Sequence, residues 1–142
     1  MNLLTLKIAT PEKLIYEDNE LVSATLPTSE GEITILPNHI PLVAKLGSGE
    51  ITIRKKGKTD SFVCTGGFLK LDAQGNIVIL SDYAIRSEDI EMAKVEEARK
   101  KAEERMKEKI SEEDFILAQT EITRALLELR VVKKRKGLRV GI

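Results

Sequence analysis

The chain has 142 residues, 42% of them apolar, which suits one ordinary domain or a small domain with an appendage. Its 23 acidic and 23 basic residues leave no net field to attract nucleic acid or an anionic membrane. The one cysteine, Cys64, rules out an internal disulfide, and together with the one histidine, His39, it is too few for a metal-ligand cluster.

The opening text MNLLTLKIATPEK lacks a signal peptide's order of charge, apolar run and cleavage site. No apolar stretch approaches the length that crosses a bilayer, so membrane association is expected only through a partner. Up to about Asp82 the chain reads as nine short β-rich runs: LLTLKIA, KLIYE, ELVSATL, EITIL, LVAKL, EITIRK, SFVCT, FLKLD and NIVILS. In LVSATLP the alternation sets Val22, Ala24 and Leu26 on one face and Ser23 and Thr25 on the other, the pattern of a half-buried antiparallel strand. Glu30-Gly31-Glu32, KKGK at 55–58 and AQGN at 73–76 supply turns. Short strands at close spacing predict an antiparallel β-sandwich or flattened barrel over residues 1–86.

From Ser87 the period changes. Ser87 followed by EDIE reads as an N-cap with acids in the first turn, and SEED at 111–114 as the capping box of a second helix. Met92, Val95, Ala98, Ala102, Met106 and Ile110 form one stripe; Phe115, Ala118, Ile122, Ala125, Leu129 and Val132 form another. A short link around Lys109 to Ser111 predicts an antiparallel two-helix hairpin over 87–142 and an α+β chain. Glu96 to Lys100, Glu97 to Lys101 and Glu103 to Lys107 support the first helix, each pair worth about 0.2–0.5 kcal/mol. That helix offers small or flexible side chains for docking, so it is a candidate switch that detaches and redocks; a permanently docked pair is the alternative. From Val131 to Ile142 come five basic residues, Lys133, Lys134, Arg135, Lys136 and Arg139, and no acid. This end is either a solvated tail or an arm that seeks an acidic surface.

The chemistry-bearing residues do not converge. A cysteine hydrolase would need Cys64 and His39 in contact beside an oxyanion hole, but Cys64 lies in SFVCTGG, strand text in which a lone cysteine is a small buried hydrophobe. Glu30 and Glu32 flank a turn glycine, as solvated carboxylates do. Gly66-Gly67 is too short to cradle phosphate. Binding or mechanical coupling is therefore favoured over catalysis, with an enzyme using Cys64 or His39 and a sandwich adaptor with a coiled-coil arm as alternatives.

IATPEKLIY, EGEITILPNHIPLVAKL, TGGFLKL and LSDYAIRSEDIE resemble, in order and spacing, the epsilon subunit of the bacterial and chloroplast rotary ATP synthase. The specific part is Gly31, Leu36, Pro37, His39 and Pro41 followed by Gly66-Gly67-Phe68. The resemblance implies a non-catalytic central-stalk subunit of a proton-translocating synthase, without cofactor or metal, peripheral on the cytoplasmic face of an energy-transducing membrane. It implies a sandwich bound to gamma and to the c-ring, with Glu30, Gly31, Glu32 and His39 as ring contacts. It implies helices that fold on the sandwich or extend along gamma to the alpha and beta subunits and block hydrolysis, with Arg124, Arg130, Lys133 and Lys134 as head contacts. Some members bind ATP through an Ile-Asp-x-x-Arg-Ala motif. Here Ile90 is kept, but Glu91, Lys94 and Val95 replace the rest, Lys101 replaces a further arginine, and Arg124 matches. ATP binding is expected to be weak or absent.

Overall fold

The computed structural model describes residues 3–135, and the chain separates into two compact units at the Arg86–Ser87 bond. The first holds seven strands: β1 (Leu4–Ala9), β2 (Leu14–Thr28), β3 (Gly31–Ile35), β4 (Leu42–Lys55), β5 (Lys58–Leu71), β6 (Asn76–Leu80) and β7 (Ala84–Arg86). The order β1-β6-β5-β4-β2 is closed by an added β1–β2 pairing, so five strands form a ring, with β3 carried on β2 and β7 on β5. Closure leaves few open edges and flattens the ring into a sandwich around one core. The β1–β6 pair is parallel, the exception in an otherwise antiparallel set.

The nine expected runs condense into fewer, longer strands. KLIYE and ELVSATL fuse as β2, LVAKL and EITIRK as β4, and SFVCT and FLKLD as β5, while the three-residue β7 is additional. These strands bend instead of ending. Gly66 and Gly67 have φ of +97° and +121°, where β5 leaves β7 and takes up β6. At Gly67 an added Cβ would lie 2.0 Å from the Leu80 carbonyl oxygen, so the close approach of β6 demands glycine.

The predicted face of β2 is corrected at its first residue. Leu21, not Val22, is fully buried with Ala24 and Leu26, because the β2–β4 register shifts between Leu21 and Ser23. The opposite face is covered too: Ser23 and Thr25 are buried, and the Arg54 guanidinium donates to both hydroxyls at 3.3 and 2.9 Å. Inside the ring Leu6, Ile8, Ile51, Ile53, Phe62, Leu69 and Ile79 are fully buried. Cys64 is among them, its thiol 3.7 Å from the Gly47 carbonyl oxygen, and burial pushes its pKa up, as for an inert thiol.

The second unit opens with a 3-10 turn at Ser87–Asp89, followed by α1 (Met92–Met106) and α2 (Glu112–Arg135). Ser87 is thus not the cap of α1. Its carbonyl accepts the Ile90 amide at 3.3 Å, Glu91 is extended at φ −96° and ψ 105°, and Glu91 gives α1 no side-chain cap. At α2 the expected cap is present: the Asp114 amide donates to Ser111 Oγ at 3.2 Å.

The helices pair antiparallel, with Arg105 4.0 Å from Asp114 near the turn and Arg135 donating to the Ser87 carbonyl at the other end. Ala102, Ala118, Ala125, Leu129 and Val132 are buried. Three members of the expected stripes are displaced. Ala98 is exposed and Arg99 takes its place on the α1 face, Ile110 falls in the link at 107–111, and Phe115 is 40% exposed. Arg99 also redraws the ion pairs: Glu96 and Glu103 both turn to it, at 2.9 and 3.4 Å, while Glu97–Lys101 stands at 3.1 Å. A guanidinium between two carboxylates offers more donors than lysine partners would.

Candidate functional site

The β2–β3 hairpin carries Glu30, Gly31 and Glu32 on an exposed tip. The Thr28 hydroxyl donates to the Gly31 carbonyl and accepts from the Glu30 amide, while Gly31 takes φ +125° with open space around it. His39 lies beyond the other end of β3. Leu36-Pro37-Asn38-His39 is a tight turn: the His39 amide donates to the Leu36 carbonyl at 3.2 Å and Asn38 has φ +68°, the arrangement of a type II turn with Pro second and Asn third. His39 Nδ1 donates to the Ile40 carbonyl at 2.7 Å, so the ring is held by its own backbone. The histidine and the Glu-Gly-Glu turn lie beyond opposite ends of β3, a strand about 13 Å long at strand rise. They are two points along an edge strand.

A further surface was not singled out from sequence. On β4, β5 and β6 the register puts Val43 beside Lys70 and Val78, and Lys45 beside Phe68 and Leu80, all on the outer face. Val43, Phe68 and Leu80 are 74%, 60% and 56% exposed, and Ile40 just before β4 is 76% exposed. These exposed apolar side chains alternate with Lys45 and Lys70, a mixed surface on which a partner could dock. The available signal was the unbroken apolar text IVIL in β6, which marks a strand apolar on both faces.

On the hairpin, the residues considered for nucleotide are already engaged. Ile90 is buried, Glu91 pairs with Lys94 at 3.1 Å, and Arg124 Nε lies 3.7 Å from the buried Glu128. Lys101 is held by Glu97. Arg130 and Lys134 are exposed and Lys133 is half-buried in the last turns of α2, whereas Lys136 and Arg139 lie outside the described residues. Among the described residues no group of His, Cys, Asp and Glu could hold a metal, and no helix is long and apolar enough to cross a membrane.

Residues 3–87 match the family described as ATP synthase, Delta/Epsilon chain, beta-sandwich domain, and residues 88–133 match ATP synthase, Delta/Epsilon chain, long alpha-helix domain. The chain belongs to the ATP synthase delta/epsilon chain family. The ATP synthase epsilon chain of Herpetosiphon aurantiacus is 35% identical over 133 residues, covering 93% of this chain and 96% of that one. Among solved structures, a chain of the Euglena gracilis mitochondrial ATP synthase, in its OSCP/F1/c-ring part, superposes with a TM-score of 0.63 at 21% identity over 96% of this chain and 81% of that chain. A chain of the Tetrahymena thermophila mitochondrial ATP synthase central stalk and c-ring gives a TM-score of 0.55 at 16% identity, covering 93% and 99%. Those two show the same fold. Membership in the delta/epsilon family makes this a non-catalytic subunit of the synthase and sets aside both the adaptor and the enzyme readings.

Proposed function

We propose that the chain is a rotor subunit of a proton-translocating ATP synthase, in which the sandwich couples the c-ring to gamma and the hairpin restrains ATP hydrolysis by the catalytic head. The observation that carries this reading is the self-sufficiency of the sandwich: its core cluster draws only on residues from Leu4 to Ala84. A helical unit that supplies no residue to that cluster can change partners while the coupling unit stays folded.

Gamma is the proposed occupant of the outer face around Val43, Phe68 and Leu80, where Lys45 and Lys70 stand among the apolar side chains and supply the polar contacts of a mixed interface. Glu30, Gly31 and Glu32, with His39 as a separate second point, are the proposed contacts to polar loops of the c-ring. Arg130, Lys133 and Lys134, with Arg124 once Glu128 releases it, are the proposed contacts to the alpha and beta subunits. Such a subunit sits peripherally on the cytoplasmic face of the membrane through these partners.

The test is a chain truncated after Arg86, assembled into the complex. Assembly and proton-driven synthesis should persist while ATP hydrolysis rises. Equal hydrolysis by truncated and full-length complexes under all nucleotide and salt conditions would remove the brake, and failure of the truncated chain to assemble would remove the self-sufficient coupling unit.

A further inference from the structure

We propose that Arg135 latches the open end of the hairpin through the carbonyl of Ser87, holding α2 folded back along α1. The two helices differ in length: α2 has 24 residues and α1 has 15. At about 1.5 Å per residue α2 is longer by roughly 13 Å. The excess carries its C-terminal turns past the start of α1 and onto the 3-10 turn. There the Arg135 guanidinium donates to the Ser87 carbonyl. The same oxygen accepts the Ile90 amide at 3.3 Å, which its two lone pairs permit.

Two features make this contact a latch and not one more helix-end bond. It joins residues 48 apart in sequence, so it exists only when α2 is folded back along α1. It is also charge-assisted, unlike the neutral backbone bonds inside each helix. At the turn end, by contrast, Arg105 and Asp114 are 4.0 Å apart, beyond hydrogen-bond distance.

The residue before Ser87 is fastened elsewhere. The Arg86 guanidinium pairs with Asp60, whose side chain is 8% exposed, and lies 5.5 Å from the centre of the Tyr16 ring. Consecutive residues therefore carry separate ties, Arg86 to the sandwich and Ser87 to the end of α2. Opening the hairpin breaks the second and leaves the first. A carboxylate is a stronger acceptor for guanidinium than a carbonyl, so an acidic partner surface competes with Ser87 for Arg135 and draws the latch open. That consequence rests on the hairpin being a brake; the latch itself does not.

Hydrogen exchange of the full chain, read by mass spectrometry or NMR, tests it. Arg135→Ala should speed exchange about tenfold at the Ile90 amide and at α2 amides from Ala125 to Val132, with the sandwich unchanged. Arg135→Lys, which keeps a charged donor, should restore much of the protection. Lys133→Ala removes the same charge from the same turn and should exchange like the unaltered chain. Unchanged exchange in Arg135→Ala overturns the latch, and so does an equal effect of Lys133→Ala, which would assign the protection to charge at the helix end. A brake that fails the truncation test leaves these outcomes standing, and a failed latch leaves the truncation result standing.

Discussion

Asp18 accepts hydrogen bonds from the Tyr16 hydroxyl at 2.8 Å and the Glu20 amide at 2.9 Å, and its carboxylate lies 2.7 Å from Lys55 Nζ. Burial raises its pKa, but the bonds from Lys55, Tyr16 and Glu20 together outweigh burial and hold it below the ordinary carboxylate value. A depressed folded pKa means that Asp18 contributes stability above its unfolded value of about 3.9, and that the contribution is lost as pH falls through the folded value. Asp18→Asn should therefore cost about 1–2 kcal/mol near neutral pH and flatten the acid limb of a denaturation profile. A profile as steep as that of the unaltered chain would contradict this. Tyr16 has the opposite sign: burial, then its bond to Asp18, pushes it up to about 12. Its contribution is complete below the unfolded value of about 10 and disappears as pH rises toward 12. In a Tyr83→Phe chain, absorbance titration of the remaining tyrosine should have its midpoint near 12; a midpoint at the ordinary phenol value would refute the buried bond. At the nucleotide positions, phosphate would have to displace Glu91 from Lys94 and Glu128 from Arg124. Lysine also lacks the planar fork that grips phosphate at two points. Calorimetry of the full chain with ATP should show weak binding or none, and tight saturable binding would sink the expectation.

At the scale of strands, two glycines with similar backbone angles should respond differently to alanine. Gly67 has φ +121°, and its added Cβ would meet the Leu80 carbonyl oxygen at 2.0 Å and Ser81 Cα at 2.8 Å, both backbone atoms that cannot swing away. Gly31, at φ +125°, faces open space. Gly67→Ala should cost on the order of 3–5 kcal/mol, enough to unfold a marginal domain, whereas Gly31→Ala carries only conformational strain of about 1–2 kcal/mol. Thermal melts of the two variants check this, and comparable losses would mean that β6 can move away from β5. The same glycines mark what could be read from the sequence. Alternation and turn residues announced the sandwich, but only pairing reveals that Gly66 and Gly67 bend one strand where two were expected. β7 has three residues and is defined by its register against Phe62, Val63 and Cys64, which no local pattern carries. On α1 the stripe was read through Ala98 because alanine counts as apolar; Arg99 holds the face because two glutamates neutralise it there. On the sandwich, Val43, Phe68 and Leu80 were legible as strand residues, but that they share one outer face follows from the β4–β5–β6 pairing, which no local pattern carries.

For the whole molecule the proposed brake raises the question of how a hairpin of balanced composition would find the catalytic head. The last turns of α2 carry Lys133, Lys134 and Arg135 with no acid among them, whereas the first turn carries Glu112, Glu113 and Asp114. Each set complements the helix dipole at its own end, which steadies α2 whether or not α1 covers it. The helix is therefore polarised, and an extended α2 would present its basic end, with Arg130 one turn earlier, to acidic surfaces of the alpha and beta subunits. Each exposed pair is worth only about 0–1 kcal/mol, so the proposed restraint on hydrolysis would need several acting together. Such a sum is screened by salt, with a Debye length of about 8 Å at physiological ionic strength and about 30 Å at 0.01 M. Replacing Arg130, Lys133 and Lys134 with alanine should raise ATP hydrolysis by the assembled complex part of the way toward the level of the chain cut after Arg86. The gap between triple variant and unaltered complex should be widest at low salt and close as salt is added, because screening does to the unaltered complex what the substitutions do to the variant. A gap that is the same at all ionic strengths would show that α2 resists rotation through its apolar faces, and that its basic end is a solvated tail.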